Sequence, residues 1–273
     1  MSDVDLITPL VSPVVDTHCH MDVTYDDEHV LPSAQEALEA AAAVGISVVM
    51  QVGCDVASSK WAIETAEKFA NVWATVALHP NAAAHDENLN DSLTTIAELA
   101  THDVVRGIGE TGLDYFRTEE SRAHQQHESF RAHIDISIAT KKPLIIHDRD
   151  AHSDVIDTLL NYGAPDTVVF HCFSGDSDMA KICRDHGWYM SFSGVVTFKN
   201  AVSLREALVV APSELLLVET DSPFLTPSPF RGRPNASRLM PLTVRAMASA
   251  RGESEQEICE ALFSNAARVF GPF

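Results

Sequence analysis

The sequence predicts an α/β fold, a (β/α)8 TIM barrel that forms a single domain over residues 1–273. Eight apolar segments rich in β-branched residues recur at fairly even spacing, and amphipathic segments rich in alanine, leucine and glutamate separate them. Histidine, glutamate or aspartate stands at the end of most apolar segments. Strand ends build the catalytic face of such a barrel, so this third observation agrees with the first two.

The eight apolar segments are typical of parallel strands that helices cover on both faces, because the apolar runs are almost continuous. In chain order they are VVDTH (14–18), ISVVMQV (46–52), VWATVAL (72–78), VVRGIGE (104–110), PLIIH (143–147), TVVFH (167–171), GWYMS (187–191) and ELLLVET (214–220). Eight such segments in 273 residues match the usual size of a (β/α)8 barrel.

Amphipathic segments between the strands predict helices, most clearly at 33–45, 59–70, 92–102 and 121–142. Glycine or asparagine follows several of them, as it does at helix C-caps. An open doubly wound sheet is the alternative architecture. No G-x-G-x-x-G or P-loop motif follows a predicted strand, so the nucleotide-binding form of that alternative lacks support. No linker, repeat or low-complexity tract interrupts the pattern, which indicates one domain.

Composition narrows the class of protein. The chain has 45% hydrophobic residues, enough for a large core. It has no apolar run of 18 residues, so we expect no membrane span. The acidic start MSDVDLITPL lacks the features of a signal peptide, so we expect a cytoplasmic protein. The five cysteines are scattered and form no C-x-x-C pair, which argues against a disulfide framework and a thiolate zinc site.

The net charge of −20 restricts any contact with nucleic acid. Proteins that grip nucleic acid along its backbone normally carry a basic stripe, and this sequence has none. A nucleic acid substrate would therefore be held by metal ions and a few local arginines, over a short contact.

The first strand ends in a pattern that favours metal binding. In VVDTHCHMD, residues 14–22, the side chains of Asp16, His18 and His20 lie on one face of the strand, because successive residues alternate. Five later strands end in the same residue types. The full set of strand-end residues is His18, His20, His79, Glu110, His147, His171, Glu219 and Asp221. Such a cluster on one catalytic face indicates a functional site.

Six of these residues are candidate metal ligands: His18, His20, Glu110, His147, His171 and Asp221. They are too many for one tetrahedral zinc and suit two divalent ions joined by a bridging carboxylate. Glu110, at the central strand, is the natural bridge. Asp221 can be a ligand that also accepts a proton from the attacking water. Imidazole and carboxylate ligands without thiolate suit Zn, Mn, Fe, Co or Ni, and suit Mg less well.

Arginines near the predicted site are candidate phosphate contacts. Arg231 and Arg233 lie in the Pro/Gly-rich loop SPFLTPSPFRGRPNAS that follows the last strand, where barrels often bind phosphate. Arg149 follows His147, and His79 ends the third strand, so both can contact substrate or support the site. Tyr115 and Phe116 can stack on a base or belong to the core. For the histidines inside the helix 121–142, namely His124, His127 and His133, solvent or packing roles are expected.

The combined motifs resemble the TatD family of metal-dependent hydrolases, within the larger group of amidohydrolase-type barrels. The matching stretches are DTHCHMD, GIGETGLDY, HQQHESFRAHIDIS, KKPLIIHDRDAH, VVFHCFSGD and ETDSPFLTPSPFRGRPN, which span residues 16–235. The resemblance implies a (β/α)8 barrel and a metal-dependent deoxyribonuclease, with Mg²⁺ commonly the activating ion. It implies the same six ligands, and Glu219 also matches the family motif. One departure is Asn81, because the family often has histidine at this position after His-Pro.

The leading hypothesis is a phosphodiesterase, an exonuclease-type DNase that trims DNA ends, most simply single-stranded ones, through metal-activated water at a dinuclear site. The alternative is an ester or amide hydrolase with the same metal centre, such as a D-aminoacyl-tRNA deacylase acting on tRNA. A metal-binding protein without catalysis is the third reading, and the intact ligand set disfavours it. Two divalent ions, Mg, Mn or Zn, are expected as cofactors, and we expect a monomer.

Overall fold

The computed structural model describes residues 7–272, and they contain eight β-strands. The strands belong to one sheet in the order β1 to β8, which is also their order along the chain. They are β1 Val14–Cys19, β2 Ile46–Val52, β3 Val72–Val76, β4 Val105–Asp114, β5 Leu144–Arg149, β6 Val168–Phe170, β7 Tyr189–Phe192 and β8 Leu216–Val218. Every residue of β1, β3, β6, β7 and β8 is buried, as the continuous apolar runs predict.

Helices lie between the strands and after the last one, so the predicted (β/α)8 fold is confirmed. Two of them, α9 and α10, follow β8. In the described residues the helices are α1 Ala34–Ala42, α2 Val56–Lys68, α3 Pro80–His85, α4 Leu89–Leu99, α5 Ala123–Thr140, α6 His152–Tyr162, α7 Ser177–His186, α8 Val202–Val210, α9 Met240–Arg251 and α10 Glu255–Phe270.

Local chemistry explains where several helices begin and end. The hydroxyl of Ser33 accepts a hydrogen bond from the backbone N–H of Glu36, and the Glu36 carboxylate accepts one from the Ser33 backbone. Ser254 and Glu257 form the same capping box at the start of α10. These boxes satisfy N–H groups that have no partner inside the helix. Gly187, with a φ of 69°, ends α7 in the left-handed conformation that glycine adopts without strain.

Contacts within the chain divide it into two compact units, one of Met1–Met50 with Gly175–Phe273 and one of Gln51–Ser174. The single domain over residues 1–273 stays a prediction. No helix of the described part of the chain is long and apolar enough to cross a membrane. The cytoplasmic location and the monomeric state also stay predictions.

In the unit Gln51–Ser174, strands β3 to β6 pair in parallel. β4 extends to Asp114, four residues beyond the predicted segment, and its register against β5 shifts between Ile108 and Thr111. Beyond the shift, Gly112 lies opposite His147 and Asp114 lies opposite Arg149. The helix α5 packs against β4. The longer strand therefore brings a second acidic side chain, Asp114, to the level of His147.

In the other unit, β7 and β8 pair in parallel, and a single parallel bridge joins Cys19 at the end of β1 to Ser222. The helix α10 packs against both β1 and β8. Arg251, at the end of α9, donates to the carbonyl oxygens of Leu208 and Ala211 at 2.6 and 2.7 Å. The Cys19–Ser222 bridge holds the carboxyl end of β1 beside the segment that follows β8, although about 200 residues separate the two in sequence.

Candidate metal centre

Three imidazoles face one carboxylate in the unit Gln51–Ser174. The Oε2 atom of Glu110 lies 2.8 Å from Nε2 of His171, 3.0 Å from Nδ1 of His147 and 3.8 Å from Nε2 of His79. We call these four residues the Glu110 cluster. Glu110 is 4% exposed, so its carboxylate is compensated inside the protein and not by bulk water. Four predicted strand ends, β3 to β6, thus deliver their polar side chains to one point.

Asp114 orients His147 from the other side of the imidazole ring. Its Oδ2 atom lies 3.3 Å from Nε2 of His147, while Nδ1 of the same ring faces Glu110. A carboxylate that accepts the proton of one ring nitrogen leaves the other nitrogen free to bind a metal. Burial lowers the pKa of His147, but the two facing carboxylates outweigh burial and raise it. Burial opposes ionisation of Asp114, and its hydrogen bonds from His147, Arg117 and Asn81 outweigh this effect and lower its pKa.

Asn81 supports Asp114. Its side-chain amide donates to Oδ2 of Asp114 at 3.2 Å, and its carbonyl oxygen accepts from the hydroxyl of Thr118 at 2.9 Å. The position that departs from the family pattern therefore has a defined role here, which is to fix the carboxylate that orients His147. A neutral amide at this position provides a donor whose charge does not vary with pH.

His79 stands in a different hydrogen-bonding state from the other imidazoles of the cluster. It is the N-cap of α3, and its Nδ1 atom accepts from the backbone N–H of Asn81 at 3.0 Å. A neutral ring that accepts at Nδ1 carries its proton on Nε2, the atom that faces Glu110. Burial lowers the pKa of His79 to about 3, so the ring is neutral at ordinary pH. His79 is thus a hydrogen-bond donor at the cluster.

The second group of predicted ligands lies in the unit Met1–Met50 with Gly175–Phe273. Oδ1 of Asp221 is 3.4 Å from Nε2 of His20 and 3.9 Å from Nε2 of His18. We call these three residues the Asp221 cluster. The backbone N–H of Asp221 donates to the carbonyl of His18 at 2.9 Å, and the N–H of His20 donates to the carbonyl of Ser222 at 2.8 Å. Asp221 has a φ of 53°, a strained conformation for a non-glycine residue that is common at functional sites.

Asp16 holds the strands beneath the Asp221 cluster. This fully buried carboxylate accepts from the backbone N–H and the hydroxyl of Thr220 at 2.9 and 2.6 Å, and from the hydroxyl of Ser237 at 2.7 Å. Burial raises its pKa to about 6, although the hydrogen bonds act in the opposite direction. These hydrogen bonds tie β1 to the segment after β8, next to His18 and Asp221.

The remaining predicted contacts are distributed around the clusters. Each of the three arginines is exposed and lies over a phenylalanine ring, with guanidinium-to-centroid distances of 4.1 Å for Arg149 on Phe116, 3.9 Å for Arg231 on Phe198 and 5.7 Å for Arg233 on Phe230. Glu219 is fully buried, so direct contact with substrate would require it to become accessible. Contacts of these four residues with substrate stay predictions.

The donor chemistry of both clusters fits divalent metal ions. The Glu110 and Asp221 clusters present imidazole nitrogens and carboxylate oxygens, and His79, Glu110 and His147 offer ligand atoms within 4.8 Å of one another. Without a cation to compensate them, so many ionisable groups at short distance would lower the stability of the folded protein. Such nitrogen and oxygen donors suit Zn, Mn, Fe, Co or Ni. The proton on Nε2 of His79 argues against this residue as a ligand and leaves His147 and His171 as the imidazoles beside Glu110.

Two residues near the Glu110 cluster were missed by sequence reasoning. Asp114 follows Glu110 by four residues, so the alternation of a strand places both on one face, and an extended fourth strand would have indicated it. Cys54 lies just past the end of β2, and its thiol is 3.5 Å from Oε1 of Glu110. An isolated cysteine carries no pattern that predicts such a contact.

Comparison with known proteins identifies the family. Residues 15–271 match the family model of TatD-related DNases. The uncharacterized metal-dependent hydrolase TatD of Mycobacterium tuberculosis is 41% identical over 262 residues, which cover 94% of this chain and 98% of that protein. The uncharacterized metal-dependent hydrolase YcfH of Escherichia coli K12 is 36% identical, over 94% of this chain and 95% of that protein. The crystal structure of the E. coli TatD homologue YjjV superposes with a TM-score of 0.87 at 24% identity, over 95% and 98% of the two chains.

Proposed function

The chain belongs to the family of TatD-related DNases, which are metal-dependent hydrolases, and from this premise we propose that it hydrolyses phosphodiester bonds at the ends of DNA strands. The observation that carries the proposal is the convergence of His79, His147 and His171 on the buried carboxylate of Glu110. A buried carboxylate beside the imidazoles of His147 and His171 offers oxygen and nitrogen donors that would hold divalent metal ions.

We propose further that the Glu110 and Asp221 clusters contribute to one dinuclear centre, with His18, His20, Glu110, His147, His171 and Asp221 as ligands. The support is the general rule for (β/α)8 barrels, in which the carboxyl ends of all strands form one catalytic face. When bound, divalent cations supply Lewis acidity, which activates water as a nucleophile and neutralises charge that develops on phosphoryl oxygens.

Residues of the chain itself carry the other roles. Asp221 is 16% exposed, which makes its carboxylate accessible to a water that must lose a proton, so we assign it the proton acceptor. The Nε2–H of His79 is a neutral donor for a phosphoryl oxygen, because its tautomer is fixed by the bond from Asn81. Arg149, Arg231 and Arg233 supply guanidinium groups that match phosphate oxygens.

Charge limits the substrate to a short contact. The chain has 19 basic and 39 acidic residues, so it has too few basic side chains to neutralise the phosphates of a long nucleic acid. An enzyme that holds a few terminal nucleotides needs only the local arginines. A single-stranded DNA end is therefore the substrate that fits best.

The test is a metal-reconstitution assay. The protein is stripped with chelator, Mg²⁺, Mn²⁺ or Zn²⁺ is added back separately, and each sample is mixed with end-labelled single-stranded DNA. We expect stepwise shortening that requires the metal. The variant Glu110→Gln preserves size and removes the bridging charge, and a loss of at least about a hundredfold in rate is expected, as is typical when a metal ligand or its charge is lost. Glu67→Gln alters an exposed carboxylate on α2 and serves as the matched control.

An uncut DNA substrate with every metal would overturn the phosphodiesterase proposal. A D-aminoacyl-tRNA substrate is included for that outcome, because the same centre can hydrolyse an ester bond. Deacylation without DNA cleavage would move the assignment to that alternative. Equal activity of Glu110→Gln and wild type would show that the Glu110 cluster is not the reaction centre.

A further inference from the structure

A cavity of about 430 Å³ lies beside His20 in the unit Met1–Met50 with Gly175–Phe273. One wall is the segment 21–32 between β1 and α1 together with the facing side of α1, and the other is the segment 222–239 after β8. His20, a proposed metal ligand, belongs to its lining. The volume is within the range of sites that bind small organic molecules. We call it the His20 cavity.

Most of the lining is apolar and includes two aromatic rings. Tyr25 and Phe230 belong to it, together with Val30 and Leu31, whose side chains are 93% and 37% exposed. Large apolar side chains that remain open to solvent beside a concave surface are typical of ligand sites. Flat rings and aliphatic groups of this kind favour a ligand with a flat, weakly polar part.

Two arginines give the cavity a positive charge. Arg233 and Arg238 line it, and among the described residues neither forms an ion pair with a carboxylate, although the chain carries 39 acidic residues. Glu36 also lines the cavity, but its carboxylate is bound to the hydroxyl and backbone N–H of Ser33. Guanidinium groups left unpaired in so acidic a protein indicate an anionic ligand.

We propose that the His20 cavity binds the terminal nucleotide of the substrate, with the base and sugar against the apolar wall and a phosphate at Arg233 and Arg238. This inference rests on the proposed function and adds to it the site that recognises the strand end. A nucleotide combines a flat ring system with a negative charge, and the cavity offers partners for both. Because His20 lines the same cavity, a nucleotide bound there lies next to a proposed metal ligand.

The test measures nucleotide binding without metal and without turnover. The full-length protein in chelator is titrated with thymidine 5′-monophosphate, with thymidine and with inorganic phosphate, by calorimetry or saturation-transfer NMR. We expect the monophosphate to bind at least about tenfold more tightly than either fragment, since only it uses both walls. Ala37→Trp introduces a large side chain into the cavity from α1, and Arg238→Gln removes a charge while retaining hydrogen-bonding groups. Each is expected to weaken binding at least tenfold.

Matched controls separate the cavity from general damage. Ala42→Trp places the same side chain at an exposed position of α1 that does not line the cavity, and Arg184→Gln removes an exposed arginine of α7. Both are expected to bind like wild type. Equal binding by Ala37→Trp and Ala42→Trp, binding of phosphate as tight as that of the nucleotide, or no nucleotide binding by wild type would each overturn the inference. Since the measurement contains no metal, a failure of DNA cleavage would not affect its outcome.

Discussion

His133 provides the sharpest quantitative prediction of the structure. This fully buried residue of α5 accepts the backbone N–H of Leu78 at Nε2, at 3.0 Å, and its Nδ1 lies 2.7 Å from the carbonyl oxygen of Ser129. The ring is therefore neutral, with its proton on Nδ1. If Nε2 were also protonated, it could no longer accept the hydrogen bond from the N–H of Leu78. Two N–H groups would then face each other, which disfavours the charged ring. Leu78 immediately precedes His79, which links the state of His133 to the Glu110 cluster.

The expected magnitude follows from the two pKa values. Burial lowers the pKa of His133 from 6.5 to about 4, so between these values the unfolded chain binds a proton that the folded protein does not. The stability that the neutral His133 ring contributes is therefore fully present above pH 6.5 and is lost as the pH is lowered toward 4. The loss from this one group amounts to about 2 kcal/mol at about pH 5 and approaches about 3 kcal/mol at lower pH.

The assay is urea unfolding in chelator at a series of pH values from about 8 to about 5. His133→Gln cannot be protonated, so its stability should depend less on pH than that of wild type, with the difference between them shrinking by about 2 kcal/mol over this range. His124→Gln removes an exposed histidine from the same helix and should follow wild type. A difference between wild type and His133→Gln that does not vary with pH would refute the reasoning. An NMR titration that gives the His133 ring a pKa near 6.5 would also refute it.

Three further predictions concern single contacts. Asp114→Asn should weaken metal binding about 10- to 100-fold in a calorimetric titration, because the carboxylate that orients His147 is lost; unchanged affinity would contradict this role. Arg251→Ala should lower the free energy of unfolding by about 2–4 kcal/mol, since buried hydrogen bonds from a charged group are broken, whereas Arg184→Ala at the surface should change it little. Gly112→Ala brings a Cβ into steric clash with the carbonyl oxygen of His147, at a φ of 136° that alanine rarely adopts. We therefore expect a marked drop in melting temperature, and an unchanged melting temperature would show that β5 can move there.

Sequence patterns predicted the strands well because burial on both faces leaves a continuous apolar run, as in β5 to β8. They did not predict α3, since a six-residue helix that starts at Pro80 is too short to show a period. The extension of β4 to Asp114 was missed for a related reason. Glycine and threonine in GETGLD weaken the apolar signal, although the segment is buried.

The part of the candidate site that lies at the carboxyl ends of strands could be predicted from the sequence. The positions of His18, Glu110, His147 and Asp221 follow from strand periodicity and the rule for barrels. The tautomer of His79 was not predictable, because it depends on an N-cap bond to Asn81 that exists only once α3 forms. The His20 cavity was also out of reach of sequence patterns, since its walls are loops whose conformations no periodicity describes.

Because the chain divides into one continuous and one discontinuous unit, the two clusters are completed at different stages of translation. Gln51–Ser174 is one continuous stretch, so all of the Glu110 cluster has been translated before the ribosome reaches the codon of Asp221. The Asp221 cluster joins residues about 200 positions apart in the sequence, so His18 and His20 must wait for Asp221 to be translated. A chain that stopped after residue 171 and before residue 221 would therefore contain five of the six proposed ligands, and His18 and His20 would lack the aspartate that faces them.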